Sequence, residues 1–371
     1  MSTPPPPFAA RLALLAAASR VHGGPGEREL AAHGSSPGNV LDFSSSTNPY
    51  GPHPSVSSAL REAALGRYPD SSAREARAAL AALVGVAADE IILGNGAAEL
   101  LWTLARTLLE PDGRALMVEP TFSEFRAAAL CCGASLSELR SRADTGFAVD
   151  LDALGDRTRA ERVQVLYLCS PNTPTGTALP AADVAAWAAR HPDLWIVLDQ
   201  SFLSLSERFA DAAVAMPPNV VRVRSLTKDH GIPGVRVGYL IAAPELCGAV
   251  ENNRPHWSTS AFAQAAAIAA CRCDAFVAES RERLLADRRA LSIDLGRLGI
   301  ETLPSCTTYC LARVGDASGL RGRLLSRHRI LVRDCSSFGL PGFLRLAAKP
   351  EVERARLIAA LREEAPCSPR R

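Results

Sequence analysis

The 371-residue sequence has almost no surplus of charge of either sign. Its 41 Lys and Arg residues and 39 Asp and Glu residues leave a formal net charge of +2 at pH 7. The two signs are interspersed, so the sequence has no basic stretch of the kind that binds nucleic acid or an anionic membrane surface. The charge pattern therefore favours a small-molecule partner and predicts no binding to nucleic acid or membranes.

Long hydrophobic runs are also missing. The longest apolar stretches, residues 240–243 and 261–270, fall far short of the roughly 20 residues that a membrane-spanning helix needs. Residues 1–20 contain a proline run and an Ala- and Leu-rich stretch with no basic segment before it, unlike a secretion signal. We expect a cytoplasmic protein without a membrane segment.

The ten cysteines do not form the paired Cys-x2-Cys framework of a zinc site or a disulfide scaffold. Residues 131 and 132 are adjacent, 271 and 273 are separated by one residue, 306 and 310 by three, and the other four cysteines are isolated. This pattern is typical of buried or unreactive thiols in a reducing compartment. We expect no metal site.

What the sequence does contain is an ordinary globular composition, with 47% hydrophobic and 22% charged residues. Between residues 71 and 250, short apolar runs alternate with Ala- and Leu-rich helical patterns. The runs that we predict as strands are residues 90–93, 115–118, 163–168, 194–198, 220–223 and 237–241. Strands that alternate with helices in this way predict an α/β fold whose mostly parallel sheet is covered by helices on both faces.

The chain is longer than one typical domain of roughly 150 residues. Gly- and Pro-rich segments at 22–26 and 35–38 indicate an irregular N-terminal arm. Beyond the large domain, a long helical segment precedes a second set of strands and helices. We predict an arm and part of a small domain at 1–70, a large domain at 71–250 and the rest of the small domain at 251–371.

The segment from Ser225 to Lys228 (SLTK) is the most informative for chemistry, and Arg236 follows the lysine at a short interval. A lysine in a mostly apolar setting can form a Schiff base with a carbonyl group, and a nearby hydroxyl and guanidinium can hold a phosphate. Pyridoxal phosphate (PLP) has both groups. Taken alone, however, such residues are more commonly a surface lysine and a structural arginine.

Three further segments support the same interpretation. Asp199 ends a predicted strand, where its carboxylate can pair with a pyridinium nitrogen. Asn172 lies in a turn after another strand and can donate to the ring hydroxyl of the cofactor. Residues 94–99 (GNGAAE) follow a strand and open a helix, so their N–H groups can cradle a phosphate. Each segment alone is more typical of an ordinary cap or turn.

In this order and at these intervals, the segments resemble the class I/II aminotransferases of PLP fold type I, over residues 22 to about 361. The resemblance implies PLP as the cofactor, with a Schiff base on Lys228, Asp199 at the pyridine nitrogen and Asn172 at the ring hydroxyl. It also implies that Phe122 stacks on the cofactor ring. The residues that it implies around the phosphate are Gly96, Ala97, Ser225 and Arg236.

The same resemblance implies a homodimer with shared active sites. Tyr68, in the motif RYPD at 67–70, matches a tyrosine that reaches the phosphate across the dimer interface. Arg345, in FLRL at 343–346, matches an arginine that grips a substrate carboxylate as a bidentate fork.

Within this superfamily, the chain resembles the branch of histidinol-phosphate aminotransferases and threonine-phosphate decarboxylases. The motifs that carry the resemblance are residues 48–51 (NPYG), 67–70 (RYPD) and 330–335 (ILVRDC). They imply that Asn48, Arg333 and His22 contact the substrate, with His22 near a substrate phosphate and Arg333 near its distal anionic group. Residues 22–24 (HGG) and Trp257 favour the decarboxylase side. For Arg333, a structural salt bridge is an equal alternative from the sequence.

Several positions depart from the usual residues of the family, among them Gln200, Asp229, Ser260 and Thr308. They leave the cofactor set intact, but they leave the substrate and the reaction outcome open. Transamination is our first expectation because it is the commonest outcome on this scaffold. Decarboxylation of a phosphorylated amino acid is the alternative, and a lyase or cyclase of specialised metabolism is a third. A non-catalytic binding protein is disfavoured because the lysine and the phosphate ligands are all retained.

Overall fold

The computed structural model describes residues 23–24 and 26–364 of the chain. His22, one of the predicted substrate contacts, lies outside the described residues. In this part of the chain the strands are, in order, β1 (Leu41–Asp42), β2 (Ile91–Gly94), β3 (Arg114–Glu119), β4 (Ser135–Arg140), β5 (Val165–Cys169), β6 (Trp195–Asp199), β7 (Val220–Ser225), β8 (Gly238–Ile241), β9 (Tyr309–Arg313), β10 (Ile330–Leu331), β11 (Arg333–Asp334) and β12 (Phe343–Ala347).

Helices connect most of these strands. Over the same residues the α-helices are α1 (Glu27–Ala32), α2 (Pro54–Glu62), α3 (Arg74–Val84), α4 (Gly96–Leu108), α5 (Glu124–Cys131), α6 (Leu151–Ala160), α7 (Ala181–Ala189), α8 (Leu226–Asp229), α9 (Pro244–Asn252), α10 (Ala261–Ala270), α11 (Asp274–Arg297), α12 (Ala317–His328) and α13 (Glu351–Glu364).

The largest sheet has seven strands in the order β2-β8-β7-β6-β5-β3-β4. Neighbouring strands from β7 to β4 are parallel, whereas β8 is antiparallel to both β2 and β7. The prediction of an α/β fold with a mostly parallel sheet is therefore confirmed. Every strand predicted between residues 90 and 241 is present, with boundaries shifted by a few residues at most.

Both faces of this sheet are apolar because helices cover both of them. Side chains alternate between the two faces of a strand. In β5, Val165 and Tyr167 therefore pack in one buried cluster with Leu104 of α4, whereas Leu166 packs in another with Trp187 of α7. This double coverage explains the nearly continuous apolar runs in the sequence.

The edge strand β4 was not among the predicted strands. Its sequence, SLSELR, is exposed at both ends and only half-buried between them. It pairs on one side alone, with β3. An edge strand tolerates polar and charged side chains, so no apolar run marks it in the sequence.

The C-terminal third forms a smaller sheet of order β11-β12-β9, which is antiparallel. Its core includes Leu344 of β12, Leu324 of α12 and Leu357 of α13. The N-terminal segment joins this part of the molecule, since β1 pairs in parallel with β10. The division of the chain at residues 70 and 250 stays a prediction.

No single helix within the described ranges is both long and apolar enough to cross a membrane. The helices α10 and α11 pass that test only when counted together across an 80° bend.

The topology brings several chain segments to one edge of the large sheet. The parallel strands β3, β5, β6 and β7 end there, and ligands of open α/β sheets bind outside such carboxyl ends. Because β8 runs in the opposite direction, its first residue, Gly238, pairs with both Gly94 of β2 and Ser225 of β7. The residues after β2, after β7 and before β8 are therefore neighbours.

Candidate active site

A cavity of about 470 Å³ opens at this edge of the sheet. Most of the residues predicted for the site line it. These are Ala97, Phe122, Asp199, Ser225, Lys228, Arg236, Arg333 and Arg345. Segments that the sequence did not single out also reach the cavity, namely residues 45–47, Thr173, Phe202 and Thr227.

Lys228 lies in the short helix α8, directly after β7. Its ammonium nitrogen, Nζ, is 4.5 Å from the centre of the Phe202 ring. Burial lowers the pKa of Lys228, and the carboxylates of Asp199 and Asp229 oppose this shift only in part. A lowered pKa increases the neutral fraction of the amine, which is the form that attacks a carbonyl group.

Asp199 is fixed at the end of β6 by two hydrogen bonds. Tyr167 Oη donates to Oδ2 at 3.0 Å, and the Ser201 amide donates to Oδ1 at 2.9 Å. The carboxylate is only 2% exposed. Tyr167 was not predicted as part of the site, because in the sequence it is one apolar residue of a buried strand.

An anion-binding cradle forms where β2, β7 and β8 meet. Gly96 begins α4 with a φ of +78°, which favours glycine, and the N–H groups at a helix N-terminus attract anions. Across from it, Ser225 Oγ and Thr227 Oγ1 are hydrogen-bonded at 2.8 Å. Arg236 is held by a hydrogen bond from Nη1 to the Pro233 carbonyl at 3.0 Å.

Asn172 lies beside this cavity but does not line it. Its Oδ1 accepts from Thr121 Oγ1 at 2.7 Å, and its Nδ2 donates to the Pro120 carbonyl and to Thr175 Oγ1, both at 2.9 Å. It lines a neighbouring cavity of about 220 Å³, which shares Cys169 with the larger one. The side-chain amide is therefore already held in one orientation by the protein. Its contact with the ring hydroxyl stays a prediction.

Two arginines face each other on the small sheet. Arg333 of β11 is directly opposite Arg345 of β12 in the antiparallel register. Arg345 donates from Nη1 to Thr173 Oγ1 and from Nη2 to the Ser44 carbonyl, both at 2.6 Å, while its buried Nε has no hydrogen-bond partner within residues 23–24 and 26–364.

Arg333 donates to the Asp334 carbonyl at 2.8 Å and to Ser337 Oγ at 2.7 Å. Burial, together with the charge of Arg345, lowers the pKa of Arg333 to about 10. Both arginines line the cavity and are buried, so they bring positive charge to its wall, which favours an anionic ligand.

Two other predicted residues lie away from the cavity wall. Asn48 is buried, and its side-chain Nδ2 donates to the Asp229 carbonyl at 2.9 Å. Its backbone N–H donates to the Lys228 carbonyl, also at 2.9 Å. It therefore supports the helix that carries the lysine. Tyr68 is 77% exposed and stacks on Trp257 at the surface.

The described residues contain no group of three or more His, Cys, Asp or Glu side chains that could hold a metal ion.

A partly buried lysine and a fixed aspartate, placed at successive strand ends beside an anion cradle, define a fold type I PLP-dependent enzyme. The chain belongs to the family of class I and II aminotransferases, whose model matches residues 38–362. It is thus a PLP-dependent transaminase.

Curated relatives and solved structures place the chain in one branch of that family. It is 35% identical over 332 residues to histidinol-phosphate aminotransferase 2 of Ralstonia nicotianae, covering 87% of this chain and 88% of the relative. The chain is also similar in structure to the histidinol-phosphate aminotransferase of Sinorhizobium meliloti, which was solved in complex with PLP. The TM-score is 0.83 and the sequence identity is 27%, and the similarity covers 92% of this chain and 95% of that one. The L-threonine-O-3-phosphate decarboxylase of Porphyromonas gingivalis has a TM-score of 0.76 and 27% identity, with coverage of 86% and 98%. The predicted resemblance is confirmed.

The residues at this site fit PLP. A Cβ atom built on Gly96 would lie 2.6 Å from Arg236 Nη2, and one built on Gly238 would lie 2.7 Å from the Ala97 amide nitrogen. At Gly238 a side chain would collide with the backbone of the cradle, and at Gly96 it would displace the Arg236 guanidinium, so both glycines keep the cradle at this size. The partly buried side chain of Lys228 and the buried side chain of Asp199 line the same cavity, as a cofactor with an aldehyde and a pyridine nitrogen requires.

Proposed function

We propose that PLP is attached to Lys228 and is held by the residues predicted for it. In this proposal Asp199 pairs with the pyridine nitrogen, Phe122 stacks on the ring and Asn172 contacts the ring hydroxyl. The phosphate lies among Gly96, Ala97, Ser225 and Arg236, and Thr227 is added to this set because its hydroxyl lines the cavity and contacts Ser225.

Bound PLP supplies an electron sink that stabilises negative charge on the substrate Cα. Arg345 holds a substrate carboxylate, or a phosphate in its place, and thereby fixes which bond at Cα faces the lysine. Lys228 Nζ, released when the substrate amine takes its place, would remove the proton from Cα and return it at the cofactor carbon, a task that suits an amine whose pKa is lowered by burial. These roles describe transamination of an amino substrate.

The facing pair of Arg333 and Arg345 carries the proposal for the substrate class. Both arginines are buried, lie opposite one another on adjacent strands and line the cavity, so an anion bound there can meet two guanidiniums. We therefore infer that the substrate is an amino acid or amino-phosphate with an anionic group at its far end. The relatives are named for histidinol phosphate, an amine that carries a phosphate and no carboxylate, so a substrate of that kind would place its phosphate beside these arginines.

We also propose a homodimer with shared active sites, in which Tyr68 reaches the phosphate of the second subunit. Four large apolar side chains in neighbouring segments support this proposal by their exposure: Leu65, Tyr68, Trp257 and Phe262. Clusters of exposed apolar side chains are typical of protein interfaces. The cytoplasmic location predicted from the sequence stays a prediction.

The attachment of the cofactor is tested on the lysines themselves. The sequence has only two, Lys228 and Lys349. Borohydride fixes the cofactor covalently to the amine that holds it, so peptide mass spectrometry after reduction identifies the residue. We expect the label on Lys228, its loss in Lys228→Ala and its persistence in the matched variant Lys349→Ala. A label that survives Lys228→Ala would overturn the proposal.

The reaction class is tested by product mass. Amino acids, amino-phosphates and arginine-like compounds are each offered to the holoenzyme with an oxo-acid acceptor. We expect the amino donor to become an oxo compound. Loss of carbon dioxide would instead indicate the decarboxylation suggested by the similarity to the P. gingivalis enzyme. A retained amine with an altered side chain would indicate a lyase or cyclase.

A further inference from the structure

Tyr68 and Trp257 form an exposed stack on the surface of the chain. Their ring centres are 4.6 Å apart with an interplanar angle of 26°. Tyr68 is 77% exposed and Trp257 is 50% exposed, so the stack covers little apolar area of the rest of the chain. Two large aromatic rings held together in water, away from the core, require an explanation other than core packing.

The backbone of Trp257 is strained. Its φ is +56°, a region that bulky side chains rarely adopt. Such a conformation persists only where the surrounding structure enforces it, and it is common at functional sites. The loop that carries Trp257 is anchored on its N-terminal side by Arg254, whose side chain is only 3% exposed. That side chain pairs with Glu251 and donates to the Leu93 carbonyl at 2.5 Å.

A second contact joins the same two loops. Gln264 Nε2, in α10, donates to the Asp70 carbonyl at 2.8 Å. Asp70 in turn fixes its own loop, because its carboxylate accepts from the amides of Ser72 at 3.0 Å and Arg74 at 2.9 Å. The loop that carries Tyr68 is thus held at its base by Gln264, and the ring itself is held by Trp257.

We propose that Trp257 is a positioning residue that holds the Tyr68 side chain ready for the cofactor phosphate of a second subunit. This inference rests on the proposed function, in which Tyr68 completes the neighbouring site. An exposed tyrosine free to change rotamer would lose that freedom on binding, and the loss weakens binding. Stacking on a rigid, strained tryptophan removes most of this freedom beforehand.

The test measures the PLP dissociation constant of the dimer by cofactor absorbance and tryptophan fluorescence. Four proteins form the double-mutant cycle, and two further variants serve as controls. The four are the wild type, Tyr68→Phe, Trp257→Asn and the double variant. Asparagine is chosen because it tolerates the left-handed backbone, so only the ring is lost. Trp257→Phe, which keeps a ring, is the conservative variant, and Trp257→Gly, which also accepts this backbone, replaces Trp257→Asn if that protein does not fold.

We expect Trp257→Asn to raise the PLP dissociation constant about 2- to 10-fold, the range of a typical aromatic pair. Trp257→Phe restores most of the affinity. In the Tyr68→Phe background the same substitution adds little, because its effect passes through the Tyr68 hydroxyl. Phe209→Ala, which removes an exposed aromatic that packs on Arg281 instead, leaves the constant unchanged.

The outcomes separate the inference from the function on which it rests. If Tyr68→Phe leaves the PLP dissociation constant unchanged, the shared site itself is wrong. If Tyr68→Phe weakens binding but Trp257→Asn does not, or if the two effects simply add, the positioning role of Trp257 is overturned. Sedimentation of Trp257→Asn as a monomer would also overturn it, since Trp257 would then act on assembly rather than through Tyr68.

Discussion

At the scale of single residues, the two side chains that follow Lys228 are buried and incompletely satisfied. Asp229 Oδ1 and His230 Nδ1 have no hydrogen-bond partner among the described residues. Burial raises the pKa of Asp229 to about 7 and lowers the pKa of His230 to about 4. Each side chain is therefore held in its neutral form over a pH range in which the unfolded chain would be charged.

Asp229 makes the stability of the enzyme depend on pH in a defined direction. The folded carboxyl keeps its proton up to about pH 7, whereas an unfolded aspartate loses it near pH 4. Between these values the folded state binds more protons, so this group lowers stability as the pH rises. His230 has the opposite dependence between about pH 4 and its unfolded pKa near 6.5, because over that interval the unfolded form binds a proton that the folded form does not.

We expect Asp229→Asn to remove the contribution of Asp229 and to leave that of His230. The difference in thermal midpoint, variant minus wild-type holoenzyme, should increase steadily from pH 4 to pH 7 and then level off. Asp183→Asn, at an exposed position of α7, serves as the control. Parallel pH curves for Asp229→Asn and the wild type would contradict the assigned burial of this carboxyl.

At the scale of elements, the pairing of β11 with β12 places side by side the two arginines that we propose to bind anions. The register places Arg333 opposite Arg345, which neither sequence motif reveals by itself. Both arginines of the small sheet line the same cavity as Asp199 and Ser225, the last residues of β6 and β7 in the large sheet.

This arrangement predicts a selective effect of Arg333→Ala. Loss of one charge-assisted contact, worth about 1.5–3 kcal/mol, should raise KM for a substrate with two anionic groups about 10- to 100-fold. The KM of a short amino acid with a single carboxylate should change much less, because Arg345 remains. Steady-state kinetics with both substrates measure the ratio. An equal change for the two would make Arg333 a structural residue.

Elements also show what the sequence can and cannot predict. Strands buried on both faces, such as β5 and β6, were predicted because their apolar runs are unbroken. The edge strand β4 was missed because it carries polar side chains. Motif spacing predicted Lys228, Asp199 and Arg236. Tyr167 and Thr227 have no sequence signal of their own, because they contribute through contacts with Asp199 and Ser225. The hydrogen bonds that occupy Asn172 became visible only in three dimensions.

At the scale of the whole molecule, the proposed shared sites predict complementation between defective subunits. A dimer of one Lys228→Ala subunit and one Tyr68→Phe subunit has one site with both residues intact and one site with neither. Random exchange between equal amounts of the two variants makes half of the dimers hybrid, so about a quarter of the wild-type activity should return.

The measurement is the activity of the mixture after subunit exchange, compared with the mean of the two variants kept apart. Lys228→Ala exchanged with itself is the control and should gain nothing. Activity that stays at the mean would mean that each chain completes its own site. A fully active monomer in sedimentation would exclude the dimer altogether.

The parallel pairing of Leu41 with Ile330 has a consequence for synthesis on the ribosome. The seven strands of the large sheet lie between Ile91 and Ile241, so that sheet is complete in the nascent chain long before the end of translation. Strand β1 is synthesised before that sheet but can pair only after β10, near the end of the chain, has left the ribosome. During that interval a short, unpaired strand is tethered to a nearly finished sheet, and such an edge is open to wrong partners. Truncation of the chain before residue 330 would therefore leave the first-made strand without its partner.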